Sequence, residues 1–294
     1  LVRTEQGGDS YAFRFAPQEY LLRGPGGGFE SARFEWEPAL ITDLVEVRRP
    51  GRDSALAARL GETLRRFLSS AGWAEREAQL LDAVRAKRPI IVTLRFAAAE
   101  LFSLPWELLI IKSSGQHLGE LPGVLLRYEW PETRSAATSA ARQEGERILF
   151  AWSAAGGAVP AAEQLTAIEA ACQKGFHPFD RERDVLAHVS CGRLITALDA
   201  AKKDGRPIAV LHLLCHGTVN GSTYGLALDG DDEVMVPVDA GRLRQLLSPY
   251  AEMLRLVVLS ACDSGNSGAL GSQLGSAAQT LHRAGIAAVV ASRY

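Results

Sequence analysis

Residues 208–217 read IAVLHLLCHG, and residues 254–265 read LRLVVLSACDSG. Each stretch begins with a run of apolar residues, which is typical of a strand buried on both faces of a parallel sheet. Each run ends in a reactive side chain, His216 in the first and Cys262 in the second, with glycine close behind. Glycine lets the backbone turn tightly and come close to a substrate chain. The two stretches therefore predict buried strands with chemistry at their carboxyl ends.

The sequence around these strands alternates between apolar strands and amphipathic helices. It reads as strand RILFAW, helices from about 160 to 174 and 190 to 203, strand IAVLHLLC, a hairpin through YGLALD and VMVPV, helix DAGRLRQLL, strand LRLVVLSAC, a helix from about 272 to 283 and strand IAAVVAS. This alternation predicts an α/β sandwich with a mostly parallel central sheet. The final strand is followed by no closing turn, so we expect the chain to be truncated at its C-terminus.

Residues 1–135 are expected to form a separate region with β-hairpins and helices. Alternating apolar and polar residues in YAFRF, YLLR and ARFEW, with the turn GPGGG, predict antiparallel hairpins over residues 10–47. Apolar residues at helical spacing predict helices over residues 55–67 and 75–86, before the strand PIIVTLRF. The small, polar stretch at residues 131–145, PETRSAATSAARQEG, indicates a linker and a domain boundary.

Composition limits the class of protein and its partners. The 294 residues are 47% hydrophobic and 22% charged, as in ordinary folded domains. A net charge of -2 gives no basic field, which argues against nucleic acid or an anionic membrane as a direct partner. The sequence has neither an apolar run of about 18 residues nor a signal peptide at its start, so a cytoplasmic location is expected. Four cysteines are too few for a disulfide scaffold, so free thiols are expected.

His216 and Cys262 form a candidate catalytic pair. Sites in open α/β sheets gather at the carboxyl ends of the strands. If the two strands are neighbours, the imidazole can act as base toward the thiol and as acid toward a leaving amine. Cys262 follows His216 by about 46 residues, close to the spacing of roughly 50 in caspase-type enzymes. The pair therefore predicts a cysteine hydrolase.

The segments LHLLCHG and VVLSACDSG closely resemble the two signature stretches of the CHAT family. CHAT domains are caspase-like, are named for their association with tetratricopeptide repeats, and are related to caspases and separase. The resemblance also covers SLPWELL, residues 103–109, and the ERILFAW strand with the helix after it. It implies a caspase-like α/β/α sandwich at residues 136–294, the catalytic CHAT domain, preceded by an inactive N-terminal half at residues 1–135.

The same resemblance implies roles and partners. His216 would be the general base and Cys262 the nucleophile, with the backbone amides of Gly217 and Cys262 as the oxyanion hole. Substrates would be proteins, and a fused or bound sensor, such as tetratricopeptide repeats or a nucleotide-binding domain, would regulate cleavage in a prokaryotic defence or signalling system. An oligomer formed on activation is a further hypothesis. No cofactor and no metal are expected, because Cys215 beside His216 lacks a second ligand pair at the spacing of a zinc site.

Two other functions and one residue role stay open. A non-catalytic caspase-like scaffold would be expected to lose the histidine or the cysteine, and both are present. A cysteine hydrolase of small molecules would act on esters or amides without a peptide, and the lack of a GxSxG-like elbow disfavours it only weakly. Asp263, which follows the candidate nucleophile, either reads a basic P1 side chain in a substrate pocket or caps the loop toward Gly265.

Overall fold

The structure is a computed structural model that describes residues 2–3, 16–24, 26–47, 51, 53–129, 145–175, 177–220, 223–230, 234–262 and 276–292. The chain divides into two units, Leu1–Pro131 and Glu132–Tyr294. Within the described ranges, no helix is long and apolar enough to cross a membrane.

The first unit combines a β-hairpin, helices and a pair of parallel strands. Its elements are β1 (Val2–Arg3), β2 (Gln18–Arg23), β3 (Phe29–Phe34), α1 (Pro38–Glu46), α2 (Ser54–Ser69), α3 (Trp73–Arg85), β4 (Ile90–Arg95) and β5 (Val124–Glu129). Short 3₁₀ helices lie between β4 and β5, at Ala99–Ser103, Trp106–Leu108 and Leu118–Glu120. β2 and β3 pair antiparallel, and the amide of Gly24 donates to the carbonyl of Gly28 at 2.8 Å across the turn. The predicted GPGGG hairpin is confirmed.

The prediction of hairpins over residues 10–47 is wrong in its last part, because Pro38–Glu46 form helix α1. Proline suits the first helical position, since its fixed φ matches the helix and the missing N–H would have no partner there. Leu44 and Val47 are both buried, at a spacing that fits a helix better than a strand. The predicted strand YAFRF, residues 11–15, lies outside the described residues.

Aromatic side chains fill the core of the first unit. The ring of Phe67 on α2 lies 5.6 Å from Tyr20, 4.9 Å from Phe34 and 6.4 Å from Trp106, measured between centroids. Trp106, from the SLPWELL segment, is fully buried, and its indole N–H donates to the carbonyl of Leu101 at 2.7 Å. The segment is therefore held inside this core, and its polar group is satisfied there.

The second unit is built on a five-stranded sheet. Its elements are β6 (Arg147–Trp152), α4 (Ala161–Lys174), α5 (Arg181–Asp184), β7 (Val185–Leu186), α6 (Cys191–Lys203), β8 (Ile208–Leu214), β9 (His216–Asn220), β10 (Thr223–Asp229), β11 (Met235–Asp239), α7 (Ala240–Leu247), β12 (Leu256–Ser260), α8 (Ala277–Arg283) and β13 (Ala288–Ala291), with a 3₁₀ turn at Ser248–Tyr250. The strand order is β13-β12-β8-β6-β7, and all neighbouring pairs are parallel. The predicted α/β class with a parallel central sheet is confirmed.

Side chains along β8 and β12 alternate between the two faces of this sheet. One face is buried against helices, and the other carries the candidate residues. One face packs with helices α6, α7 and α8 in a single buried cluster, which includes Leu211, Leu213, Cys215, Val257, Leu259, Leu194, Leu198, Leu243, Leu247 and Leu281. Cys215 is thus a core residue, as the alternation predicts. His212 and His216, at the alternate positions, are only partly buried.

A second, antiparallel sheet follows β8 directly. Its strand order is β11-β10-β9, and β9 starts at His216. The sequence predicted a hairpin of β10 and β11 but not β9. Its residues HGTVN contain one apolar side chain in five, too few to show the alternation of a strand.

Asp184 is a buried carboxylate that ties α5 to β6. Its side chain is 1% exposed and accepts hydrogen bonds from Arg147 at 2.8 Å, from Arg183 at 2.7 Å and from the amide of Asp180 at 2.9 Å. Burial alone would raise the pKa of Asp184, but the hydrogen bonds from Arg183, from the Asp180 amide and from Arg147 outweigh it and hold the pKa below its ordinary value.

We expect Asp184→Asn to lower the free energy of unfolding by about 3 kcal/mol at neutral pH, because it leaves the largely buried Arg147 guanidinium without its carboxylate. The native pKa of Asp184 is depressed, so this stabilisation is complete above the unfolded value of about 3.9 and is lost as the pH falls below it. Urea unfolding of both proteins between neutral pH and about pH 3 measures the difference. Asp82→Asn, which breaks only an exposed pair with Arg85, is the matched control and should change little. Equal stability of wild type and Asp184→Asn at neutral pH would contradict the prediction.

Candidate active site

Strands β8 and β12 are neighbours, so their carboxyl ends lie at the same edge of the sheet. Their register ends with Ser260 opposite Leu214, and His216 and Cys262 each stand two residues beyond that pair. The amide of Cys215 donates to the carbonyl of Ser260 at 3.2 Å, which extends the ladder past the last strand residues. The condition that the sequence left open, adjacency of the two strands, is met.

Gly217 lies directly against the backbone of Cys262. A β-carbon built on Gly217 would overlap the carbonyl oxygen of Cys262, and it would lie 3.0 Å from the carbonyl carbon and 3.4 Å from the Cys262 Cβ. Backbone atoms cannot give way as a flexible side chain can, so this position requires glycine. The sequence predicted a close approach to a substrate chain at Gly217, and the close approach in the structure is to Cys262.

The imidazole of His216 is held by a loop that the sequence did not single out. Its Nε2 atom lies 3.2 Å from the carbonyl oxygen of Ala158. A carbonyl oxygen only accepts, so Nε2 carries the proton in this bond. The neutral ring then has its basic lone pair on Nδ1. One backbone carbonyl therefore fixes both the orientation and the tautomer of His216.

This loop, residues 154–160 with the sequence AAGGAVP, follows β6, the other neighbour of β8. Gly156 and Gly157 have φ of +89° and +139°, values that glycine adopts without the strain of a β-carbon. A β-carbon on Gly157 would lie 3.4 Å from Nε2 of His216. The pair of glycines at 156–157, four residues after the end of strand RILFAW, was the signal in the sequence that could have pointed to this loop.

Of the four free cysteines, Cys262 is exposed, whereas Cys191 is half-buried and Cys172 and Cys215 are buried. Burial raises the pKa of Cys215 to about 12, although a hydrogen bond from the Ala227 backbone opposes it. Burial also raises the pKa of Cys172. A thiol acts as a nucleophile in its thiolate form, so these two buried thiols are poor nucleophiles, and Cys262 is the most accessible one.

His212 and Ser260 join the two strands by a side-chain bond beneath the candidate pair. Nε2 of His212 lies 2.8 Å from Oγ of Ser260, and the His212 ring meets Phe150 edge-on at 5.3 Å. Burial lowers the pKa of His212, so its ring is neutral at neutral pH. The hydrogen-bond partner of His212, Ser260, lies two residues before Cys262.

The sequence model of the CHAT domain family matches residues 55–294. The chain belongs to the CHAT domain family. CHAT domains are caspase-like domains of the cysteine peptidase type. The match begins at α2 in the first unit and includes all of the second unit. A search of curated proteins finds no match to the chain.

The CHAT signature segments thus bring His216, Gly217 and Cys262 to one edge of the second unit. Asp263 lies outside the described residues, as does Gly265, so both roles considered for Asp263 remain predictions. Among the residues that the structure describes, no group of three His, Cys, Asp or Glu side chains could hold a metal ion.

Gly217→Ala is expected to displace the Cys262 backbone and to lower the free energy of unfolding of this CHAT domain by about 1–3 kcal/mol, as overpacking does. Gly192→Ala on α6 is the matched control, since a β-carbon there meets only Ser190 Oγ at 3.9 Å. Urea unfolding and the alkylation rate of Cys262 measure the two effects. A Gly217→Ala protein with wild-type stability and wild-type Cys262 reactivity would show that the contact does not constrain the site.

Ser260→Ala is expected to leave Nε2 of His212 without its partner and to cost about 1–2 kcal/mol of unfolding free energy. A double-mutant cycle with His212→Phe isolates the bond from the loss of each side chain. We expect a coupling energy of about 1 kcal/mol between the two positions. A coupling within error of zero would mean that the bond adds nothing to the β8–β12 ladder.

Proposed function

We propose that this chain is a caspase-like cysteine endopeptidase that cleaves protein substrates through Cys262 and His216. One observation carries the proposal: a histidine and an exposed cysteine follow two neighbouring parallel strands, β8 and β12, with Gly217 packed on the Cys262 backbone. Membership of a caspase-like, peptidase-type family supports the same reaction class.

His216 is the proposed proton carrier. With Nε2 bonded to Ala158, Nδ1 takes the proton of the Cys262 thiol, and the thiolate attacks the carbonyl carbon of the scissile peptide bond. The C–N bond then breaks as Nδ1 returns the proton to the leaving amine. Water, deprotonated by the same nitrogen, hydrolyses the thioester and frees Cys262.

The backbone amides of Gly217 and Cys262 are the proposed donors to the oxyanion that forms at each tetrahedral step. Two fixed donors of this kind cost no reorganisation during the reaction, and the loss of one typically slows catalysis by about 10²–10³-fold. Support comes from the backbone contact between these two residues, because it keeps the segments that carry both amides at a fixed separation.

Regulation is part of the proposal. A fused or bound sensor, such as tetratricopeptide repeats or a nucleotide-binding domain, would control cleavage in the cytoplasm as part of a prokaryotic defence or signalling system, with an oligomer formed on activation. The dyad supplies both nucleophile and base from the chain itself, so the proposed reaction calls for no cofactor.

The first test separates activation of Cys262 from its mere exposure. Wild type and His216→Ala are alkylated with iodoacetamide at about pH 6, and labelling of each cysteine is followed by mass spectrometry. We expect Cys262 to label at least about tenfold faster in wild type, because in the proposed dyad His216 takes the proton of the Cys262 thiol as it reacts. His188→Ala, which removes another partly exposed histidine of the same unit, is the control and should leave the rate unchanged.

Cleavage is then tested on a denatured protein mixture, with and without candidate activators, by mapping new peptide termini. Termini that appear with wild type and are absent with Cys262→Ala and with His216→Ala would establish the endopeptidase. Equal alkylation of Cys262 in wild type and His216→Ala, together with no new termini, would overturn the proposal and favour a scaffold.

A further inference from the structure

The first unit contains an open cleft along one edge of β4. The cleft has a volume of about 1060 Å³ and is lined by every residue from 90 to 97, with α3, the end of α2 and the β2–β3 turn around it. In the described part of the chain, β4 pairs with β5 alone. The edge of β4 that faces away from β5 is therefore an unpaired strand edge inside a cleft.

Alternate peptide groups of β4 point to this free edge. The amide of Ile90 donates to the carbonyl of Gly123 at 2.8 Å, on the β5 side. Peptide groups alternate in direction along a parallel strand, so the N–H and C=O groups of Ile91 and Thr93 point away from β5. Such a row of donors and acceptors is a template for another strand.

Among the described residues, the β4–β5 sheet has two strands. Parallel sheets usually have more strands and are covered on both faces. Ile91 and Leu125 face each other in the register and are 56% and 62% exposed. A strand added beside β4 would give Ile91 a second cross-strand neighbour, on the side away from Leu125.

Charge defines which strand the cleft would accept. The described residues that line it include Arg23, Arg76 and Arg95 but no aspartate or glutamate. Arg23 and Arg76 form no ion pair with any residue that the structure describes. Apolar residues, among them Trp73, also line the cleft. The lining is complementary to a peptide that carries carboxylates beside apolar side chains.

We propose that the cleft binds an extended acidic segment of a partner protein as an additional strand beside β4, with carboxylates of that segment on Arg23 and Arg76. A nucleic acid would satisfy the arginines but would leave the peptide groups of Ile91 and Thr93 without a matching backbone. The proposal does not depend on the protease reaction, since all of its residues belong to the first unit.

The test uses the full chain and a fluorescein-labelled pool of nine-residue peptides with glutamate at alternate positions and valine, leucine or threonine between them. Fluorescence anisotropy should show binding of this pool and none of a matched pool with lysine in place of glutamate. Arg23→Gln/Arg76→Gln should weaken binding by at least about tenfold, as expected for the loss of two charge-assisted contacts. Arg85→Gln is the matched control, because Arg85 lies on α3 about half a turn around from Arg76, and it should change nothing.

Hydrogen exchange decides the mode of binding. We expect the glutamate pool to slow amide exchange in residues 90–97, where the free edge of β4 would gain partners. Failure of the glutamate pool to bind at millimolar concentration, equal binding of the lysine pool, wild-type affinity of the double variant, or binding without protection of residues 90–97 would each overturn the proposal. Displacement of the bound pool by a single-stranded oligonucleotide that protects the same residues would also overturn it, in favour of a nucleic-acid site.

Discussion

The parallel pairing of β8 with β12 is the constraint on which the candidate site depends. His216 and Cys262 are distant in sequence, and they come to one edge because both strands run in the same direction and end at the same level. Register matters as much as direction, since a slip of one residue would turn every side chain of β12 to the opposite face. The His212–Ser260 bond and the packing of Gly217 on Cys262 both require the observed register. The contacts that fix the register of β8 and β12 therefore also fix the positions of His216 and Cys262.

Strand alternation also explains why two adjacent residues, Cys215 and His216, have opposite environments. Cys215 points into the core with the leucines of α6 and α7, and burial there raises its pKa to about 12. His216, one residue later, points to the other side, where the loop after β6 supplies a carbonyl for its ring. In the proposed reaction, a reactive thiol next to His216 in sequence would compete with Cys262 for the substrate. Burial of Cys215 in the core keeps its thiol protonated and away from solvent, so it does not compete.

The sequence predicted the parts of the site that depend on residue type and local pattern. Apolar runs located β8 and β12, and the order of His216 and Cys262 with their family signatures indicated the pair. It could not predict that the strands are neighbours, because strand order depends on contacts between distant segments. It also missed the role of Ala158, since a backbone carbonyl carries no signature in the side chain of its residue. The sequence did not reveal helix α1, because residues 10–34 alternate apolar and polar residues and the short helix after Pro38 follows them without a break in composition.

The proposed cleavage site and the proposed peptide cleft use strands in different ways. In the second unit, β8 and β12 are central strands with partners on both sides, so they offer side chains and loop amides at their ends, which suits bond cleavage at one point. In the first unit, β4 offers its edge, where an extended chain can pair along several residues. Such pairing suits the binding of a peptide rather than its cleavage. A protease that meets many exposed peptides gains little selectivity from a dyad, because the dyad contacts only the atoms around one bond. Under both proposals, selectivity would come from contacts away from the scissile bond, and the arginine-lined edge of β4 in the first unit has the length and the charge to supply them.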